Sequence, residues 1–197
     1  VMKEILEGYE AQGLSLEQSQ ACSHILQTGD LSLLVGAAGT GKSFSLRAAK
    51  DVLEQSGYTV RGLAPTGKAS QNLEQSADIP SKTVDKFLYD LARERDTFSQ
   101  KDVVIIDEAA MLGNEKMKHV FEHAQALGAK IILVGDEKQL SSLDAGRPFK
   151  VLKNTLGSAE INTVRRQNHE WQRQAAQDFR QGEVRKALIA YEDRNLL

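Results

Sequence analysis

A chain of 197 residues can bury one sizeable hydrophobic core, but it is too short for two domains of typical size. Hydrophobic residues make up 41% and charged residues 26% of the chain, a composition that excludes a largely disordered protein. The formal net charge of −2 excludes a globally basic surface, so any contact with nucleic acid should be local.

Short apolar runs alternate with amphipathic stretches along the chain. The apolar runs are rich in β-branched residues, which predicts buried parallel strands at 31–35, 60–64, 103–106 and 131–134. Apolar residues at three- and four-residue spacing predict helices at 43–55, 67–75, 83–93 and 115–126. This alternation predicts an α/β fold with a mainly parallel sheet and helices on both faces. In such sheets, ligands bind beyond the carboxyl ends of the strands.

A glycine-rich loop follows the first predicted strand. It consists of Gly36, Ala37, Ala38, Gly39, Thr40, Gly41, Lys42 and Ser43. Glycines let successive backbone N–H groups converge on phosphate oxygens, and the next helix points its positive end at them. In this phosphate-loop (Walker A) pattern, Lys42 would reach the β- and γ-phosphates and Ser43 would ligate Mg²⁺. The alternative is a glycine-rich turn with an accidental Lys-Ser pair, for which a chance match has a probability of about one in a hundred.

Two carboxylates follow the third predicted strand. Asp107 and Glu108 come directly after four apolar residues, Val103 to Ile106. An aspartate at a strand end can hold Mg²⁺, and an adjacent glutamate can orient and deprotonate an attacking water. The alternative is a helix start that uses acidic residues to complement its dipole. The upstream phosphate loop favours a Walker B site.

The fourth predicted strand is followed by the sequence Gly-Asp-Glu-Lys-Gln-Leu, residues 135–140. Its position at a strand end predicts that Gln139 lies beside the phosphate loop and the two carboxylates, where its amide could contact the γ-phosphate without competing for metal. The alternative for this sequence is an ordinary turn into a helix.

These three strand ends, together with the sequence Ala-Pro-Thr-Gly-Lys-Ala at 64–69 after the second strand, resemble superfamily 1 DNA helicases. The resemblance is to the RecD-like (1B) branch, which includes the helicase half of TraA-type conjugative relaxases, and it covers essentially the whole chain. It implies a RecA-like P-loop NTPase domain, the first of two motor domains. The family binds ATP and Mg²⁺ between this domain and a second RecA-like domain, which is absent from the chain.

The same resemblance implies two further nucleotide contacts. Gln18 matches the Q motif that hydrogen-bonds adenine, although Ser15 and Gln18 also form a capping-box pattern, and both roles can coexist. Arg166 matches the Arg-Gln box whose arginine approaches the γ-phosphate. Arg165 is the alternative residue for this role, and an ordinary surface arginine pair is the alternative for both.

Single-stranded DNA is the partner that the resemblance implies. Pro65, Thr66, Gly67 and Lys68 would offer a hydroxyl, backbone N–H groups and one cation to a phosphate, and Thr83 matches the next strand-contacting motif. The alternative for both motifs is an ordinary helix start. Many RecD-like helicases have histidine where this chain has Asp85, which alters the expected DNA contact at that point.

The predicted function is therefore an ATP-hydrolysing motor domain of a single-stranded-DNA translocase or helicase from a conjugative relaxase-helicase. Two other functions stay open, a self-sufficient P-loop NTPase and a non-catalytic DNA-binding module. The single cysteine, Cys22, fits a core residue and a reducing compartment, so the predicted location is cytoplasmic. We find no run of the roughly 20 apolar residues that a membrane span needs. Because the chain starts at Val1 and stops straight after a helical pattern, we interpret residues 1–197 as one domain excised from a longer protein.

Overall fold

The computed structural model describes residues 1–27, 29–136, 148–163, 171, 174–175, 178–179 and 182–192, without the side chain of Ala187. Its strands are β1 (Leu31–Gly36), β2 (Thr59–Ala64), β3 (Ser81–Thr83), β4 (Asp102–Ile106), β5 (Lys130–Gly135) and β6 (Ala159–Ile161). They form one sheet in the order β3-β2-β4-β5-β1-β6, and every paired strand is parallel to its neighbour. The carboxyl ends of all these strands therefore share one edge.

Eight α-helices lie within the described residues. They are α1 (Met2–Ala11), α2 (Leu16–Gln27), α3 (Lys42–Gln55), α4 (Gly67–Ala77), α5 (Val84–Leu91), α6 (Asn114–Leu127), α7 (Pro148–Leu156) and α8 (Val184–Glu192). A single 3-10 turn, Ala109–Met111, follows β4. Among these residues, no helix has the length and hydropathy of a membrane span.

The core divides into two clusters, one on each face of the sheet. Successive strand side chains point to opposite faces, so Leu33 joins one cluster and Leu34 the other. One cluster contains apolar residues of α5, α6 and α7, and the other contains apolar residues of α2, α3 and α4. The predicted α/β fold with helices on both faces is confirmed.

Helix α1 packs on the outer side of α3 through a third, smaller cluster. Cys22 is fully buried there with Leu6, Tyr9 and Ala48, and its thiol donates to the Ser45 carbonyl at 3.1 Å. Burial raises the pKa of the Cys22 thiol to about 12, so the thiol stays protonated and unreactive at neutral pH. The prediction that Cys22 is a core residue is confirmed.

The ten residues between α5 and β4, 92–101, leave no room for an inserted subdomain. They are held against the sheet by Arg61 of β2. Its guanidinium pairs with both carboxylate oxygens of Asp96, at 2.7 and 2.8 Å, and donates to the Thr97 carbonyl at 2.6 Å. This paired geometry fixes the loop at the β2–β3 side of the sheet.

Candidate functional site

The phosphate loop lies between the carboxyl end of β1 and the start of α3, as the sequence predicted. Gly39 and Gly41 have φ values of 82° and 84°, in the left-handed region that favours glycine. At Gly41 a Cβ would also collide with the side-chain amide of Gln18, and at Gly36 a Cβ would lie 2.9 Å from the Thr40 hydroxyl. The glycines therefore serve both the backbone turn and close packing.

Lys42 begins α3 and folds its side chain back over the loop. Its ammonium group donates to the carbonyls of Gly36, at 2.5 Å, and Ala37, at 3.0 Å. The Thr40 hydroxyl also donates to the Ala37 carbonyl, at 2.9 Å, so a second hydrogen bond within the loop holds its conformation. The cation is thus held at the loop that would receive the phosphates.

Gln18 connects α2 to the phosphate loop. Its Nε2 group donates to the Thr40 carbonyl at 3.0 Å and to the Gly41 carbonyl at 3.4 Å, and the side chain is almost completely buried. Its Oε1 atom accepts from the Ser15 N–H at 2.9 Å, while the Ser15 hydroxyl accepts from the Gln18 N–H at 3.2 Å. The capping box is therefore present, and both ends of the amide are engaged within the protein.

The two carboxylates follow β4 at the same edge. Asp107 accepts the Glu108 N–H at 2.9 Å, and its own N–H donates to the Leu63 carbonyl of β2 at 2.9 Å. Glu108 has φ 50° and ψ 35°, a left-handed conformation that is uncommon outside glycine. Glu108 is the N-cap residue of the 3-10 turn that follows, so the two acids lie at a helix start, as the alternative had it, as well as at the strand end.

Burial raises the pKa of both carboxyl groups. For Asp107 the loss of solvent is the largest cause, and the Glu108 N–H and Lys42 partly oppose it. For Glu108 burial comes first and the charge of Asp107 second, while Lys42 and Lys68 oppose them. A bound cation or another positive group would lower both pKa values again and stabilise the ionised carboxylates.

A cavity of about 820 Å³ joins these groups. Its walls are the phosphate loop and first turn of α3, the two acids after β4, the end of β5 and one side of α4. The lining residues are Ala38, Gly39, Gly41, Lys42, Ser43, Phe44, Ala69, Asn72, Gln75, Ser76, Asp107, Glu108, Gly135 and Asp136. Lys42, Ser43, Asp107 and Glu108, predicted from separate strand ends, thus face one space.

The predicted DNA contacts lie at the starts of α4 and α5. The Thr66 hydroxyl accepts from the Ala69 N–H and the Thr83 hydroxyl accepts from the Lys86 N–H, both at 3.1 Å, so each threonine caps its helix. Thr66, Gly67 and Lys68 are exposed and Pro65 is half-buried. Both motifs therefore lie at helix starts, and the exposed turn at 65–68 remains available for a ligand.

Asp85, the residue that departs from the family pattern, pairs with Lys116 of α6 at 2.7 Å. Gln139, Arg165 and Arg166 lie outside the described residues. Within the described parts of the chain, no group of three His, Cys, Asp or Glu side chains has the arrangement of a metal site.

Sequence reasoning missed one residue at this edge. Glu17 accepts the backbone N–H groups of Asn162, at 2.7 Å, and Thr163, at 3.2 Å. In the sequence it is only an acidic residue in the first turn of a helix, which gives no signal of so distant a contact.

The comparisons with known proteins agree with this geometry. Residues 13–197 match the family model described as an AAA domain. The chain belongs to the AAA domain family. This AAA domain is 39% identical over 178 residues to the conjugal transfer protein TraA of Rhizobium radiobacter, covering 90% of the chain and 16% of that relative. It is 35% identical over 159 residues to the ATP-dependent RecD2 DNA helicase of Deinococcus radiodurans, covering 79% of the chain and 22% of the relative.

The same fold occurs in the crystal structure of the Pif1 helicase from Candida albicans. The match has a TM-score of 0.59 and 21% identity, and covers 85% of this chain and 44% of the helicase. The AAA domain thus has the fold of a helicase motor domain, and the predicted resemblance to RecD-like helicases and TraA proteins is confirmed. The predicted ATPase domain of helicase type is confirmed with it. The chain spans only a small part of the length of these relatives.

Proposed function

We propose that this AAA domain binds and hydrolyses ATP with Mg²⁺ as the first motor domain of a single-stranded-DNA translocase. The observation that carries the proposal is the convergence of a phosphate loop and two partly buried carboxyl groups on one cavity. A nucleoside triphosphate could place its phosphates in the loop and turn its reacting γ-phosphate towards Asp107 and Glu108. The cavity has the several hundred Å³ that such a ligand needs.

Each part of the site has a chemical role in this proposal. The phosphate loop and the start of α3 bind the phosphates through backbone N–H groups, and Lys42 moves from the loop carbonyls to the β- and γ-phosphates. Glu108 orients the attacking water and accepts its proton, a role favoured by a pKa raised towards the working pH. Gln139 and Arg166, or Arg165 in its place, would contact the γ-phosphate.

The residues present fit a magnesium ion. Mg²⁺ prefers oxygen ligands and is commonly held by one or two carboxylates, water and substrate phosphates. The Ser43 hydroxyl and the Asp107 carboxylate supply this chemistry within one cavity, and a cation beside Asp107 would oppose the rise of its pKa that burial causes. When bound, Mg²⁺ would neutralise charge on the β- and γ-phosphates.

Adenine recognition by Gln18 requires a rearrangement. Because both ends of the Gln18 amide are engaged within the protein, a base would have to replace its contacts with Thr40 and Gly41, or with Ser15. The proposal therefore assigns Gln18 two roles, holding the loop without nucleotide and contacting adenine with it.

The parent protein in this proposal is a conjugative relaxase-helicase, supported by the identity to TraA. A second RecA-like domain from the same parent would close the cavity and supply an arginine finger, and single-stranded DNA would cross the exposed turn at 65–68.

Magnesium-dependent hydrolysis of ATP by the 197-residue chain tests the proposal. We expect slow hydrolysis that requires Mg²⁺ and that Lys42→Ala abolishes, because the substitution removes the charge facing the phosphates. The matched control is Lys118→Ala on α6, which removes a lysine that is 70% exposed and pairs only loosely with Glu122, at 3.7 Å. Equal hydrolysis by the wild type and Lys42→Ala would refute the phosphate-loop assignment.

A further inference from the structure

Two adjacent residues in the first turn of α2 contact two different segments at the edge of the sheet where the strands end. Gln18 holds the phosphate loop through the Thr40 carbonyl, at 3.0 Å. Glu17 holds the chain just after β6 through the N–H groups of Asn162 and Thr163. The loop and the segment after β6 are thus tied to a single helical turn.

The position of β6 brings the second contact close to the phosphate loop. β6 pairs with β1 up to Ile161, which lies opposite Gly36 at the start of the phosphate loop. Asn162 and Thr163 follow the end of the strand ladder and are exposed, so their N–H groups bind the Glu17 carboxylate in the presence of solvent. The Glu17 carboxylate supplies one oxygen to each, and hydrogen bonds to an ionised acceptor are stronger than neutral ones.

We propose that Glu17 is a positioning residue for nucleotide hydrolysis, which fixes the start of the arginine-bearing segment relative to the phosphate loop. Thr163 is two residues before Arg165 and three before Arg166. The first turn of α2 acts as a clamp, with Gln18 on the loop and Glu17 on the chain that leads to these arginines. The inference rests on the proposed function, since it assigns the arginines to the γ-phosphate.

A purely structural role for Glu17 makes a different prediction. An acidic residue in a first turn stabilises its helix through the dipole, and aspartate does so as well as glutamate. Glu17→Asp keeps that charge but is one methylene shorter, so it loses reach towards residues 162 and 163. The clamp predicts that Glu17→Asp behaves like Glu17→Ala, whereas a dipole role predicts that it behaves like the wild type.

The kinetic test uses single-turnover ATP hydrolysis by the 197-residue chain. For both Glu17→Ala and Glu17→Asp we expect the maximal rate to fall by about tenfold, a moderate loss for misplacing a group at the reacting phosphate. The KM for ATP should stay within about twofold, because Gln18 and the phosphate loop are unchanged. Glu10→Ala on α1 removes an exposed carboxylate as the control and should leave both parameters unchanged.

A double-mutant cycle tests whether Glu17 acts on hydrolysis through one of the two arginines. If Glu17 acts through an arginine, Glu17→Ala should add little to Arg166→Ala, or little to Arg165→Ala if that residue holds the role. Additive losses in both arginine backgrounds, or a rise in KM in place of a fall in rate, would overturn the proposal.

A readout independent of catalysis separates this inference from the proposed function. Without nucleotide, amide hydrogen exchange at Asn162 and Thr163 should be at least about tenfold faster in Glu17→Ala and Glu17→Asp than in the wild type, since the lost bonds are charge-assisted. Unchanged exchange would refute the clamp even if ATP is hydrolysed. A wild type with no hydrolysis above Lys42→Ala, but with faster exchange in the variants, would refute the proposed function and keep the contact.

Discussion

The phosphate loop and the turn at 65–68 are alike in outline and different in how their helices start. Both follow a buried parallel strand, β1 or β2, and both lead into a helix at the same edge of the sheet. The N-cap residue of α3, Gly41, provides no side-chain cap, whereas α4 is capped by the Thr66 hydroxyl. A helix start without its own cap is suited to bind an anion, and a capped one is already partly satisfied.

This difference separates two kinds of evidence for function. At the phosphate loop, the residues converge on a cavity that also contains two partly buried carboxyl groups, an arrangement that a bound ligand would explain. At the turn, Thr66 and Thr83 each have a sufficient structural role, so their presence alone says little about DNA. Experiments on the turn must therefore separate capping from binding.

The largest expected effect is at Glu108. Glu108→Gln should retain ATP and Mg²⁺ binding but slow hydrolysis by about 10²-fold or more, the scale for loss of a positioned base. Nucleotide titration and single-turnover hydrolysis would measure the two effects. A collapse of nucleotide affinity would instead identify Glu108 as a metal ligand or structural residue.

The pH dependence of the hydrolysis rate also tests the role of Glu108 as the base. Because burial raises the pKa of Glu108, the wild-type rate should fall as the pH drops through a value above the usual range of a glutamate. Glu108→Gln should lose this acid limb, while its nucleotide affinity shows the wild-type pH dependence. An acid limb of equal position in the variant would assign the titration to another group.

At the turn, Lys68→Ala should weaken binding of single-stranded DNA about equally for all sequences. Its exposed ammonium would contact phosphate rather than bases, so the slope of log affinity against log salt should fall by about one. Titrations of two oligonucleotides of different sequence at several salt concentrations would measure this. A loss confined to one sequence, or an unchanged slope, would exclude a phosphate contact.

Three substitutions of Thr66 separate capping from binding. Thr66→Ala should lower the free energy of unfolding by about 1 kcal/mol, because the Ala69 N–H loses its acceptor. Thr66→Ser and Thr66→Asp keep the cap and should unfold like the wild type in urea. If the turn contacts DNA phosphates, Thr66→Asp should also weaken DNA binding through repulsion while Thr66→Ser does not. Equal DNA binding by all three variants would leave Thr66 a cap alone.

The smallest expected effect is a gain of stability at Asp107. Its pKa is raised on folding, so its contribution to stability is unfavourable above the ordinary carboxyl pKa and vanishes as the pH falls below that value. Asp107→Asn should therefore raise the melting temperature of the nucleotide-free chain at pH 7 by a few degrees, but not near pH 3. Destabilisation at pH 7 would contradict this sign.

Most strands of the sheet and the residues of the candidate nucleotide site could be predicted from the sequence. The predicted strands at 31–35, 60–64, 103–106 and 131–134 match β1, β2, β4 and β5 to within one residue at each end, because each is a short, mostly apolar and mostly buried run. β3 and β6 have three residues each and are too short for a periodic signal. The Walker residues were predictable because glycines and charges follow buried strands.

Contacts between segments far apart in the chain could not be predicted from the sequence pattern. The capping box of Ser15 and Gln18 is local, so its spacing predicts it, but the reach of Gln18 to Thr40 depends on how α2 packs beside α3. Glu17 and Thr163 are separated by 146 residues, and the pairing of β6 with β1 together with the packing of α2 against β6 brings them together. Such contacts follow from the fold rather than from any motif.

DNA-stimulated ATP hydrolysis tests directly whether this domain is one half of a DNA motor. The measurement compares residues 1–197 with a chain extended by about 200 residues of the parent, one further domain, each with and without single-stranded DNA. An arginine finger is worth roughly 10³ to 10⁵ in rate, so we predict slow, barely stimulated hydrolysis by the short chain and strong stimulation in the extended one. Full DNA-stimulated hydrolysis by residues 1–197 alone would contradict the account and favour a self-sufficient NTPase.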